Sequence, residues 1–212
     1  MAGDAVGSRG MQERGIATRA ALLDAALECL VELGYGATTT IEVAKRAGVS
    51  RGAQLHHFPT KAELLAAAVE SLFERRNAEF RKAFANLEPG ADQTDAAIDL
   101  LWSMFRGPTH VAWAELWMAA RTDRELAAHV VEIRDRFDRQ SLETWVELSP
   151  PGTDPGFLRL AVAFAYSLMD GMATESLVPH QHLVAPEELL DTLKVIARTY
   201  GPPTTHQGES AP

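Results

Sequence analysis

Glycine, proline and capping residues cut this chain into segments that carry a helix period and little else. The breaks fall at Gly34 and Gly36, Gly48, Pro59, Pro89-Gly90, Gly107-Pro108, Thr122-Asp123, Ser149-Pro150-Pro151-Gly152 and Pro179. Between them, apolar residues recur three and four positions apart, as one face of a helix requires. No alternating run of β-branched and aromatic residues bounded by turns is present. The pattern predicts an all-α fold of about nine helices. They are read over 18–33, 39–48, 50–58, 61–85, 93–106, 109–121, 124–148, 155–177 and 186–200.

The chain has 212 residues, 46% hydrophobic and 23% charged, enough apolar content to bury a core. No apolar run reaches the roughly 18 residues a membrane helix needs. The opening MAGDAVGSRGMQERG lacks the hydrophobic stretch of a signal peptide. These features point to a cytoplasmic protein without a membrane partner. The single cysteine, Cys29, sits in an apolar helical stripe and reads as a core thiol. Residues 1–14 and 201–212 are polar and read as disordered tails.

The formal net charge of −9 argues against contact with phosphate until its distribution is considered. Residues 1–61 hold seven Lys/Arg against six acids. Residues 62–212 hold 13 against 23, so the acid lies almost entirely in the second part. Repulsion leaves the N-terminal part as the one able to approach a polyanion.

That part contains a compact constellation, TTIEVAKRAGVSRGAQLHHFPTKAELL from Thr39 to Leu65. Thr39-x-x-Glu42 fits a capping box at a helix start. Gly48 ends that helix, Ser50 caps the next, and Pro59 stops it. Two short helices joined by a tight turn form a helix-turn-helix, whose second helix lies in the DNA major groove. Val43, Ala44, Ala47 and Val49 are the inward-facing set. The second short helix is unusually polar.

Arg51, near its start, suits a bidentate contact to guanine, and Gln54 either pairs with adenine or is a plain surface glutamine. The hydroxyls of Thr40 and Ser50, with the helix-start N–H groups beside them, suit phosphate oxygens, and Thr39 joins them. Gly52 and Ala53 permit close approach. Of His56 and His57, one is expected toward DNA and the other, or Phe58, into the seam below. Lys61 opens the next helix and is placed to clamp the backbone. Adjacent histidines on a helix point about 100° apart, so His56-His57 does not read as a metal site. Neither HExxH nor ExxH occurs, no nucleophile–base pattern is visible, and the chain reads as a non-enzyme without metal or cofactor.

The first 65 or so residues resemble the TetR family of regulators. TRAALLDAALECLVELGYGATTTIEVAKRAGVSRGAQLHHFPTKAELL carries the resemblance. Its pieces are the TR opening of the first helix, the LGYGATT link, the VAKRAGVSRG turn and HHFPTKAELL leading into a long fourth helix. The family usually has a tyrosine two residues before HF. This chain has Leu55 there and Gln54 before it, so the polar and apolar roles at the two positions are open to exchange.

The resemblance implies a DNA-binding domain over 15–60 and a ligand-binding and dimerisation domain over 61–200. It implies a homodimer joined through the last two helices and reading a pseudo-palindromic operator. It also implies a repressor that answers to a small-molecule effector. The residues of the second part show a large aromatic inventory with all four tryptophans. Trp102, Phe105, Trp113, Trp117, Phe137 and Tyr166, with Asp170 as a polar group, are the candidate pocket for an apolar or aromatic ligand. The penultimate helix, FLRLAVAFAYSLMDGMATESLV, is apolar on more than one face and must be buried against something.

Overall fold

The computed structural model describes residues 3–87 and 93–200, with side chains from residue 12 onward. Among these residues the structure is nine helices and no strand. They are α1 (Gly3–Ala37), α2 (Thr40–Arg46), α3 (Arg51–His57), α4 (Lys61–Phe84) and α5 (Gln93–Phe105), followed by α6 (Pro108–Ala120), α7 (Arg124–Leu148), α8 (Pro155–Glu175) and α9 (Pro186–Tyr200). The boundaries from α2 onward follow the punctuation to within about two residues.

The N-terminus differs from expectation. α1 begins at Gly3, so the stretch read as a disordered tail over 1–14 is helical from Gly3 onward. No proline intervenes, and Met11, Gln12, Glu13 and Arg14 are good helix formers that offset the helix-weakening Gly7, Gly10 and Gly15. The tail expected over 201–212 lies outside the described residues.

By their contacts the residues form two units, one of residues up to Phe73 with Val111–Asp135, the other of Glu74–His110 with residues from Arg136 onward. The division falls inside α4, α6 and α7, not at the 60/61 boundary read from the motif.

In the first unit the core gathers Leu22, Ala26, Cys29 and Leu30 of α1, Val43 of α2 and Phe58 after α3. Leu64, Leu65 and Val69 of α4, Leu116 of α6, and Leu126 and Val130 of α7 complete it. Cys29 is fully buried, and burial pushes its thiol up, so it is a core thiol. In the second unit Phe80 and Phe84 of α4 pack with Ile98, Leu101 and Trp102 of α5, with Met169 and Met172 of α8, and with Leu190 and Leu193 of α9. Phe80 and Phe84 also meet the Trp145 ring at 5.5 and 6.2 Å between centroids.

The end of α1 aims the chain into α2. Gly34 takes φ 73°, a left-handed conformation that glycine adopts without strain, and the helix kinks there. A Cβ at this position would lie 2.9 Å from the Glu115 carboxylate. That carboxylate accepts the Tyr35 backbone N–H at 2.8 Å, and the Tyr35 hydroxyl donates to Asp123 at 2.7 Å. Asp123 also accepts the Leu126 N–H as the cap of α7, and these two donors hold its carboxyl below the usual range. Buried Thr38 closes the kink by donating its hydroxyl toward the Gly34 and Cys29 carbonyls at 2.8 and 3.0 Å.

Candidate functional site

The helix-turn-helix is assembled by caps. The Thr39 hydroxyl accepts the Glu42 N–H at 3.2 Å to start α2, and the Ser50 hydroxyl accepts the Ala53 N–H at 3.2 Å to start α3. Each hydroxyl is used as an acceptor, so its own proton stays free to donate outward. Between the helices Gly48 adopts φ 66°, and the Val49 N–H returns to the Ala44 carbonyl at 2.9 Å. That bond folds Val49 against the first unit's core, and Val43 and Ala44 are buried as the spacing predicted. A complete capping box starts α4: the Thr60 hydroxyl accepts the Glu63 N–H at 3.1 Å, and the Glu63 carboxylate accepts the Thr60 N–H at 3.4 Å.

The predicted contact residues separate by exposure. Thr39, Ser50, Arg51, Gly52 and His56 face solvent, while Thr40, Ala53 and His57 are half-buried. Phe58 goes into the core beneath, with the Arg19 guanidinium 5.5 Å from its ring centre.

Two of the predicted contacts need correction. Gln54 is 0% exposed, and its amide donates to the Phe58 carbonyl at 2.7 Å. The helix cannot continue through Pro59, so the Phe58 carbonyl needs this side-chain donor. Gln54 is thus a brace inside α3, and its Oε1 is buried without a partner. Neither expected role, adenine reader or surface glutamine, fits a side chain withdrawn from solvent. Its neighbour Leu55 is 45% exposed. The interior position is therefore 54 despite its polarity, and the outward position is 55 despite its apolarity.

Lys61 is the second correction. Its ammonium donates to the Tyr35 carbonyl and lies 4.0 Å from the centre of the Tyr35 ring. Burial lowers its pKa, opposed by the Asp123 charge. It ties the start of α4 to the kink after α1 and is not a free cation reaching outward.

Lys45, absent from the sequence-predicted set, has a 78% exposed side chain, with Glu42 3.7 Å away. Arg46 is spent internally, donating to Glu32 at 2.7 Å with Glu28 at 3.8 Å. Only tertiary position distinguishes these two neighbouring cations.

The candidate ligand residues divide between the units. Trp113 and Trp117 belong to the first, their tilted rings 5.3 Å apart between centres, with Phe73 5.3 Å from Trp113. Trp117 is 48% exposed. Trp102, Phe105, Phe137, Tyr166 and Asp170 belong to the second. There the Tyr166 ring lies 5.7 Å from both Phe105 and Phe137, and its hydroxyl accepts the Trp145 indole N–H at 3.1 Å. Buried His110 adjoins this group. Its ring is 6.4 Å from Phe105, its Nε2 is 3.1 Å from the Thr174 hydroxyl, and its Nδ1 is 3.7 Å from Asp170. Burial holds His110 below the ordinary imidazole value, opposed by Asp170. The sequence-predicted set is thus a cluster of three rings with one acid, while Trp102 lies in the packed core and the other two tryptophans lie in the other unit.

Residues 22–68 match the model of bacterial regulatory proteins of the TetR family. Uncharacterized HTH-type transcriptional regulators of Mycobacterium tuberculosis and Mycobacterium bovis are 34% identical over 119 residues, covering 56% of this chain and 61% of theirs. The chain thus spans less than two thirds of the length of these curated relatives. The fold is similar to that of a TetR-family protein from Mesorhizobium loti, with a TM-score of 0.68 and 16% identity over 88% of this chain and 96% of that one. It is also similar to Bacillus subtilis FadR, crystallised with stearoyl-CoA, with a TM-score of 0.61 and 19% identity over 86% and 98%. Over residues 22–68, which include the helix-turn-helix, the chain is similar to bacterial regulatory proteins of the TetR family.

Proposed function

We propose that this chain is a homodimeric, DNA-binding transcriptional repressor that reads a pseudo-palindromic operator and responds to a small apolar or aromatic effector. The observation that carries the DNA half is the construction of α3. Its interior is fixed by Gln54 and by Phe58 at its end, while Ser50, Arg51, Gly52, Leu55 and His56 are presented outward. Arg51 at the helix start takes the bidentate guanine contact. The free hydroxyl protons of Thr39 and Ser50 donate to phosphate oxygens, and exposed Lys45 supplies charge. Glycine at 52 lets the backbone approach, as nothing lies within 4 Å of where its Cβ would stand.

The dimer reading rests on α8 and α9. Leu160 and Phe164, one turn apart on α8, are 64% and 53% exposed. On α9, Val195, Ile196 and Tyr200 are exposed as well. Apolar stripes on two consecutive helices fit burial against a second copy. Two copies would present recognition helices about 34–36 Å apart, one turn of duplex. The effector reading rests on Phe105, Phe137 and Tyr166, with His110 and Asp170 to orient a polar end. An effector there would shift DNA affinity by its differential affinity for two states of the dimer. The stearoyl-CoA complex of FadR supports an apolar ligand on this fold.

Selection of bound duplexes from a random pool, using the whole protein, tests the reading. The expected outcome is a palindromic consensus, and Arg51→Ala weakens its binding by about 1–3 kcal/mol. Absence of any selected sequence would overturn the proposal, as would wild-type affinity in Arg51→Ala combined with flat salt dependence.

A further inference from the structure

The connection from α8 to α9 gathers three metal-ligating side chains far from the helix-turn-helix in sequence. Glu175 is in the last turn of α8, and His180 and His182 follow on the connection. One ligand atom from each lies within 4.8 Å of the others. The two imidazole rings are 4.3 Å apart, and His182 Nδ1 is 3.7 Å from Glu175 Oε2.

We propose that Glu175, His180 and His182 bind a divalent transition-metal ion of the zinc class. Two histidines and one carboxylate form a donor set of the kind zinc sites use, with a fourth position left for water or another ligand. Two donors on one tetrahedral zinc stand roughly 3.3 Å apart at ordinary bond lengths. Side-chain rotation closes the present separations to that value, because the carboxylate and His180 are exposed.

The tautomer of His180 is already set for the task. Its Nδ1 is 2.9 Å from the Val178 carbonyl, which can only accept, so Nδ1 carries the proton. The Nε2 lone pair is left free, and this backbone-oriented arrangement is common for metal-bound histidines. The site also stands at the C-terminal end of a 21-residue helix, where the unpaired carbonyls favour positive charge. Adjacent histidines on one helix, as at His56 and His57, lack such convergence. The only cysteine, Cys29, is buried in the other unit and does not compete. A bound ion would tie the connection to the end of α8. This inference stands independently of the DNA reading.

The test is calorimetric titration of chelator-treated, full-length protein with Zn²⁺ alone, followed by the Co²⁺ absorption spectrum. One ion per chain is expected, with a tetrahedral-type Co²⁺ spectrum and a Zn²⁺-dependent rise in melting temperature. His180→Ala and His182→Ala should each weaken binding at least tenfold, Glu175→Gln should weaken it less, and the His56→Ala/His57→Ala double variant should bind as wild type. Helical circular dichroism checks that each variant is folded, and His182→Gln repeats the test with a smaller change of shape. No binding by the wild type would overturn the proposal. Binding undiminished in His180→Ala and His182→Ala, or lost in the His56/His57 variant, would overturn it too.

Discussion

Helix α3 buries an amide and exposes a leucine, whereas α8 buries two methionines and exposes a leucine and a phenylalanine. Both place apolar side chains in solvent, but for different reasons. In α3 the interior position is held by Gln54 because the carbonyl of Phe58 needs a donor where the chain turns at Pro59. Leu55 is then outward by helical geometry, one residue and about 100° away. In α8 the inward positions are filled by Met169 and Met172, and the exposed stripe of Leu160 and Phe164 is surplus to the unit's own core. An isolated outward leucine is ordinary, whereas a stripe continued on the neighbouring helix points to a partner.

The largest expected effect breaks the α8 side of the comparison. Replacing Leu160 and Phe164 together by Asp should cost about 3 kcal/mol or more in dimerisation, because each would bury a charge in an apolar interface. Light scattering after size exclusion reads the mass. A double variant with the same mass as a dimeric wild type would show that α8 does not form the interface.

On the α3 side, Gln54→Ala should lower stability by about 2–3 kcal/mol, since it leaves the Phe58 carbonyl without its donor and opens a void. Urea unfolding followed by circular dichroism measures this. A surface glutamine would cost under about 0.5 kcal/mol, so a small effect would return Gln54 to the surface.

His110 provides a pH-dependent comparison for the second unit. Its folded pKa is lowered, so the unfolded chain takes up a proton that the folded chain refuses. Stability is therefore lost as pH falls through the ordinary value near 6.5, and the loss levels off once pH drops below the folded value. Melting curves from about pH 7.5 to about pH 5 should show a shallower fall for His110→Gln than for wild type. Equal slopes would mean that His110 is not held neutral.

The smallest effect is expected from Leu55→Tyr. The side chain is 45% exposed, so stability should stay within about 0.5 kcal/mol of wild type. DNA affinity should rise modestly through a phenol donor to the duplex. A large loss of stability would show that Leu55 packs where it is described as outward.

Much of the fold is legible in the sequence because local rules act on local residues. Thr39, Ser50 and Pro59 cap or stop helices through neighbours no more than four positions away. Gly48 turns the chain within one residue, and the long helices from α4 to α9 end at the prolines, glycines and caps that punctuate them. The start of α1 is not legible in the same way. Its low hydrophobicity and its glycines suggest disorder, yet the helix runs back to Gly3 with no proline to stop it. The roles of Gln54 and Lys61 escape the sequence for a different reason. Both are polar residues in a motif expected to touch DNA, and a side chain's polarity does not reveal which way its helix is turned.

The sequence by itself determined the helices, their order and the helix-turn-helix, because caps, turns and apolar spacing depend on residues close along the chain. Tertiary structure alone decided which polar groups remain available. Tyr35 spends its N–H on Glu115 and its hydroxyl on Asp123, some 80 positions away, and takes Lys61 onto its carbonyl. It also separated Trp113 and Trp117 from the rings around Tyr166, and it brought Glu175 within reach of His180 and His182. A side chain's burial and partners are set by what folds against it, and that partner can come from any distance along the chain.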